Sequence, residues 1–212
     1  MRFTALVTAL GLAFACGTHD DPKPKDHVVQ LQVVDDGSPY MKQLFDQVAS
    51  DRDTSIRSEM DRWRPESGVT HTDYYLSAQD PKVIERYIAE HPALAVPADR
   101  QLVFERFDNG RWRTYLVFRH VELDRAAIAS AKQADDPNTH RPIVLVDFTK
   151  DGAGRFAELT RRVQGHKLAT IVDGIVVSAP IVNSPIEGGH ASISLEDASQ
   201  VAELVSSLNA KK

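Results

Sequence analysis

Cysteine is almost absent from this chain. Among 212 residues there is one, Cys16, so no disulfide can form within a single copy. Basic residues are outnumbered, 25 Lys and Arg against 30 Asp and Glu, for a formal net charge of −5. That balance, with no basic stripe interleaved with aromatics, argues against nucleic acid or a generally anionic membrane surface as a ligand. No apolar run beyond the first sixteen residues reaches the length of a membrane-spanning helix. Catalytic signatures are missing as well. None of the eight histidines falls in H-x-x-x-H or H-E-x-x-H spacing. Ser178 and Ser184 lie in no G-x-S-x-G elbow. Gly152-Ala153-Gly154 is a lone glycine pair at a helix start, read as a flexible cap rather than a phosphate cradle. His71 and Asp73 share a strand face and are read as a surface pair. The expectation is a protein that is not an enzyme, without metal or cofactor.

The N-terminus is informative. Met1-Arg2-Phe3-Thr4 precedes an apolar stretch from Ala5 to Ala15, too short for a confident span and suited to a secretory signal peptide. Cys16 follows at once, the position of the lipid-modified residue of a bacterial lipoprotein. An ordinary cleavage site at Ala13-Phe14-Ala15 is the alternative. Residues 17–26 are polar and carry Pro22 and Pro24, a flexible tether without a core pattern. Gly17 in place of an aspartate leans toward the outer rather than the inner membrane. The reading is therefore 1–16 signal peptide with Cys16 as lipid attachment, and 17–26 tether.

Residues 27–118 read as a smaller α+β region. Val28–Val34 is a strand and Asp36-Gly37-Ser38-Pro39 a turn. Met41, Leu44, Phe45 and Val48 mark a helix, and Ile56, Met60 and Trp63 a second one. Val69–Leu76 is a strand, and Asp80-Pro81 opens a further helix, since proline suits a first helical turn. Asp108-Asn109-Gly110 joins two β-forming runs as a hairpin.

Residues 119–212 hold the clearest pattern. Ile143–Val146 is a continuous apolar strand. Phe156, Leu159, Thr160 and Val163 then form one helical stripe, with Gly165 as its stop. Leu168–Val172 and Ile175–Ser178 flank Asp173-Gly174, a type I′ hairpin signal requiring positive φ at both turn residues. Pro180 and Pro185 bracket an extended corner, and Gly188-Gly189 permits a sharp reversal. Ala191–Ser194 is a short strand. Ser194 and Asp197 have capping-box spacing before a closing helix whose stripe is Ala198, Val201, Ala202 and Val205, with Leu204 and Leu208 alongside. Alanine-rich Asp124–Ala134 reads as a helix by propensity alone. The fold class is α+β, with the strands of this region in one ferredoxin-like sheet and both helices on one face.

Three segments carry a family resemblance. Val146-Asp147-Phe148-Thr149-Lys150-Asp151-Gly152-Ala153-Gly154-Arg155-Phe156 resembles a helix start in the first periplasmic domain of SecD. Leu168–Pro180 and Pro185-Ile186-Glu187-Gly188-Gly189 resemble the head of that domain. The resemblance is specific from Pro142 to Leu208. It implies a short helical turn near Asp124–Ile128 and a strand through Ser130–Ala134 ending in a turn at Pro137-Asn138, which replaces the helix suggested by propensity. SecD is a membrane-embedded accessory of the Sec translocon, and its head engages polypeptide emerging outside the cytoplasmic membrane. Two departures stand out. The link from Ser194 into Leu195-Glu196-Asp197-Ala198 is short, and the membrane spans that couple SecD to the proton gradient have no counterpart after the leader.

The expected function is that of a periplasm-facing, lipid-anchored envelope protein that binds exported or unfolded polypeptide. Its candidate contact residues are Ser178, Ala179, Pro180, Ile181, Pro185, Gly188 and Gly189, because the natural ligand of a sheet edge is an added extended strand. A docking module in envelope assembly is the second reading. A hydrolase using His71 and Asp73 is the third.

Overall fold

Ile143–Val146 forms the middle of a three-stranded antiparallel sheet in the computed structural model, which describes residues 25–210 apart from 52–54, 66–67, 108, 138 and 196. The leader, Cys16 and most of the tether lie outside the described residues. So do Asp108 and Asn138, one residue of each of two expected turns.

The chain runs β1 (Val29–Val33), α1 (Pro39–Ser50), β2 (Arg57–Trp63), β3 (His71–Ala78), α2 (Pro81–Glu90), β4 (Arg100–Arg106), β5 (Trp112–Phe118) and β6 (Leu123–Asp124). It continues with β7 (Ile128–Asp135), β8 (Pro142–Phe148), α3 (Lys150–Arg162), β9 (Leu168–Val172), β10 (Ile175–Ser178), β11 (His190–Ser194) and α4 (Ala198–Asn209). Caps explain most helix starts. The Asp80 side chain accepts from Lys82 N–H at 2.9 Å before α2, and Thr149 Oγ1 from Gly152 N–H at 3.0 Å before α3. Asp197 accepts from Ser199 N–H and Gln200 N–H before α4. Asp197 is thus the N-cap itself, three residues later than a Ser194 capping box would place it.

Among the described residues the strands form two sheets. One has eight strands in the order β2-β3-β5-β4-β10-β9-β1-β6, antiparallel throughout except for the β4–β10 pair. The other is β11-β8-β7, all antiparallel. This corrects the single ferredoxin-like sheet expected for residues 119–212. Hairpin β9–β10 leaves the other head strands and joins β1 on one side and β4 on the other. The turn chemistry holds: Asp173 has φ 50° and Gly174 φ 84°. Both helices do serve one face. Val144, Val146 and Phe148 of β8 share an apolar cluster with Phe156 and Leu159 of α3 and with Val201, Leu204 and Leu208 of α4. Ala198 and Ala202 are exposed, so the buried stripe of α4 is centred on Val201, Leu204 and Leu208 instead.

The expected second helix is a strand. Ile56, Met60 and Trp63 have helical spacing, but β2 pairs along its length with β3, from Arg57 opposite Ser77 to Trp63 opposite His71. Met60 is 51% exposed and packs in no core. Long-range pairing overrides a three-residue periodicity here. The strand is an outer edge, and Arg57, Glu59, Asp61 and Arg62 protect it from further pairing. The resemblance, not propensity, gave the right reading before the head: a 3-10 turn at Arg125–Ala127 followed by β7.

Candidate functional site

After β10 the chain crosses the opening between the two sheets. Segment 180–182 lies antiparallel to the approach of β9. Leu168 N–H donates to Pro180 C=O at 3.0 Å, Val182 N–H to His166 C=O at 2.9 Å, and Gly165 N–H to Val182 C=O at 2.8 Å. Gly165 takes φ 86° to make that last bond. Farther on, Ile186 N–H donates to the buried Thr160 Oγ1 at 2.9 Å, which pins the corner to α3. At the reversal, Gly189 has φ 70° and its carbonyl accepts from Phe148 N–H at 2.9 Å. A Cβ on Gly188 would come within 2.5 Å of the His190 ring.

This corner walls one side of a cavity of about 420 Å³. Pro180, Ile181 and Ile186 form the lip, Phe156 and Leu168 the floor, and β11 the opposite wall. Of the sequence-selected residues, Pro180 and Ile181 line it. Ser178 ends β10 at a bulge opposite Thr170, and Ala179 packs toward the core of the large sheet with Val34 and Val103. Pro185, Gly188 and Gly189 shape the corner without lining the cavity. Ile186, within the Pro185–Gly189 corner that the sequence reading took as part of the lip, lines it too and is 38% exposed. Sequence reading missed Thr160 as a part of the site, because a threonine in the apolar stripe of a helix reads as core.

The expected surface pair of His71 and Asp73 is something else. Asp73 is buried and pairs with Lys167 Nζ and with Arg113 Nη2, the latter at 3.2 Å. Its partners come from β5 and from the residue before β9, which lie far from it in sequence. His71 instead stacks on Trp63, with ring centroids 4.4 Å apart. Asp36, in the turn after β1, has a fully buried side chain and accepts from Lys167 N–H at 2.7 Å. Burial pushes its carboxyl from 3.8 up to about 6, against the opposing pull of the Lys167 N–H and charge. These charges tie the N-terminal region to β9 and do not face the cavity. Among the described residues no group of three His, Cys, Asp or Glu could hold a metal ion.

A second cavity, of about 460 Å³, opens beside the β9–β10 turn. Its wall includes His27, whose Nδ1 is 2.8 Å from Asp173 and whose Nε2 is 3.3 Å from Glu203. Lys25 also reaches Asp173 at 3.2 Å. Burial works against the charge of Asp173, but the bonds from Val28 N–H, His27 and Lys25 outweigh it and hold the carboxyl below its ordinary 3.8.

Residues 100–210, just over half of the chain, match the family described as SecDF, P1 head subdomain. The chain belongs to that family. The chain is 29% identical to the protein translocase subunit SecD of Acidaminococcus fermentans over 128 residues, 60% of this chain and 29% of that one. It is 40% identical to the protein translocase subunit SecDF of Thermus thermophilus over 84 residues, 38% of this chain and 11% of that one. This chain therefore spans less than a third of the length of either relative. A solved structure described as "Structure and function of a membrane component SecDF that enhances protein export" aligns at a TM-score of 0.41 and 17% identity, covering 85% of this chain and 92% of that one. Both of these relatives are described as subunits of a protein translocase. No helix among the described residues is long and apolar enough to cross a membrane.

Proposed function

We propose that this protein is a lipid-anchored, periplasm-facing SecD-like head that binds exported or unfolded polypeptide in a role related to protein translocation. The observation that carries the reading is the apolar cavity of about 420 Å³ under the Pro180–Ile186 lip in a member of the P1 head family. An apolar groove open at one side suits segments that a folded client would bury. Cys16 supplies the lipid attachment and residues 17–26 the tether, with the outer membrane favoured over the inner. Residues 27–118 form the supporting α+β region and 119–212 the head. Ser178, Ala179, Pro185, Gly188 and Gly189 shape the lip, and Pro180 and Ile181 touch the client.

Photocrosslinking from Ile181 and Ile186 in cells tests this. Adducts with many different chains in transit across the envelope are expected. One stable adduct with a single folded envelope protein would replace the client-binding reading with a docking role, and no adduct would remove both. Labelled palmitate entering the wild type but not Cys16→Ser tests the anchor.

A further inference from the structure

We propose that the groove holds its occupant as an added β-strand along the free edge of β11. The occupant is an extended, proline-free polypeptide segment with apolar side chains at alternate positions. This rests on the polypeptide-binding reading and specifies how the site would work.

The register of β11 decides which groups are free. Phe148 N–H donates to Gly189 C=O, and His190 to Ser194 pair with Asp147 to Ile143 in antiparallel order. Backbone groups alternate in such a ladder, so Ala191 and Ile193 turn theirs toward β8. His190, Ser192 and Ser194 turn theirs away from it, and His190 and Ser192 line the cavity. Among the described residues no strand pairs with β11 there, and β10 comes near it without pairing.

The other edges are guarded. β2 carries four charged side chains, and β6 is two residues long. β7 is capped by α4: Asn209 Oδ1 accepts from Ala131 N–H at 3.0 Å while its Nδ2 donates to Ala131 C=O at 2.7 Å. That side-chain amide occupies the outer edge of β7 as a neighbouring strand would. β11, His-Ala-Ser-Ile-Ser, carries no Lys, Arg, Asp or Glu and no proline, the usual protections of an exposed edge. It is also the edge that walls an apolar cavity, through Ala191 and Ile193. An extended chain laid there would bond to the outward groups of Ser192 and its neighbours. Every second side chain would then fall toward Ile181, Ile186 and Phe156.

The test uses the full chain and a fluorescent seven-residue peptide alternating valine and threonine, read by anisotropy. Ser192→Pro removes the outward N–H without touching the β8 ladder, a position where an edge strand tolerates proline. We expect at least a tenfold loss of affinity in Ser192→Pro and less than a twofold change in Ser192→Ala. A second arm leaves the protein unaltered: peptides N-methylated at alternate amides should lose binding in one register and keep it in the other. Wild-type binding that survives Ser192→Pro and both methylation registers overturns strand addition while leaving polypeptide binding intact. No binding of this peptide or of a permanently unfolded, carboxymethylated polypeptide overturns both. Self-association abolished by Ser192→Pro, without peptide binding, assigns the edge to a second copy and overturns the proposal.

Discussion

The buried hydroxyl of Thr160 holds the main chain of Ile186. It donates to Phe156 C=O within its own helix and accepts the Ile186 N–H, each at 2.9 Å, so one side chain joins α3 to the lip of the cavity. Thr160→Val keeps the shape but leaves that N–H without an acceptor. The expected cost is about 1–2 kcal/mol, or a Tm fall of roughly 2–8 °C. Hydrogen exchange at Ile186 should accelerate selectively; an unchanged rate there would separate Thr160 from lip positioning.

Gly152 and Gly154 look alike in sequence and should behave in opposite ways. A Cβ on Gly152 would come within 2.4 Å of Ala127 C=O, the same carbonyl that accepts Thr149 N–H. Gly152→Ala should destabilise by about 1–3 kcal/mol through overpacking. Gly154 has open space around its missing Cβ. Gly154→Ala should stabilise α3 by about 0.5–1 kcal/mol, the helix-propensity difference. Urea denaturation of the two variants reads both signs.

The β9–β10 turn offers a local test. Gly174 has free space but φ 84°, so the strain of a side chain there is in the backbone alone. Gly174→Val should cost on the order of 1–2 kcal/mol, read as a lower melting temperature. An unchanged melting curve would count against the type I′ geometry.

Asp36 makes stability depend on pH. Its folded carboxyl is raised from 3.8 to about 6, chiefly by burial. The folded state therefore binds this proton more tightly than the unfolded state. The group's contribution is most favourable below about pH 4, falls as pH rises through 6, and is constant above that. The span corresponds to about 3 kcal/mol at most. Asn at this position can still accept from Lys167 N–H without a buried charge. The stability advantage of Asp36→Asn over wild type should thus grow by about 1–3 kcal/mol between pH 4 and pH 7. His166 lies 3.7 Å away, so repeating the comparison in a His166→Gln background isolates the carboxyl.

The amino-acid sequence by itself determined the local elements. Asp173-Gly174 imposes its turn, Asp80 and Thr149 start their helices, and the spacing of Phe156, Leu159, Thr160 and Val163 names the buried face of α3. These outcomes depend on contacts within a few residues, which a linear reading contains. Tertiary structure alone decided that β9–β10 sits between β1 and β4, that Arg57–Trp63 is a strand, and that Asp73 is buried among Lys167 and Arg113. It also decided that Asn209 covers one sheet edge while β11 stays open beside a cavity. Each depends on which distant segments come together, because a strand's backbone bonds and a buried charge are satisfied only by partners far along the chain.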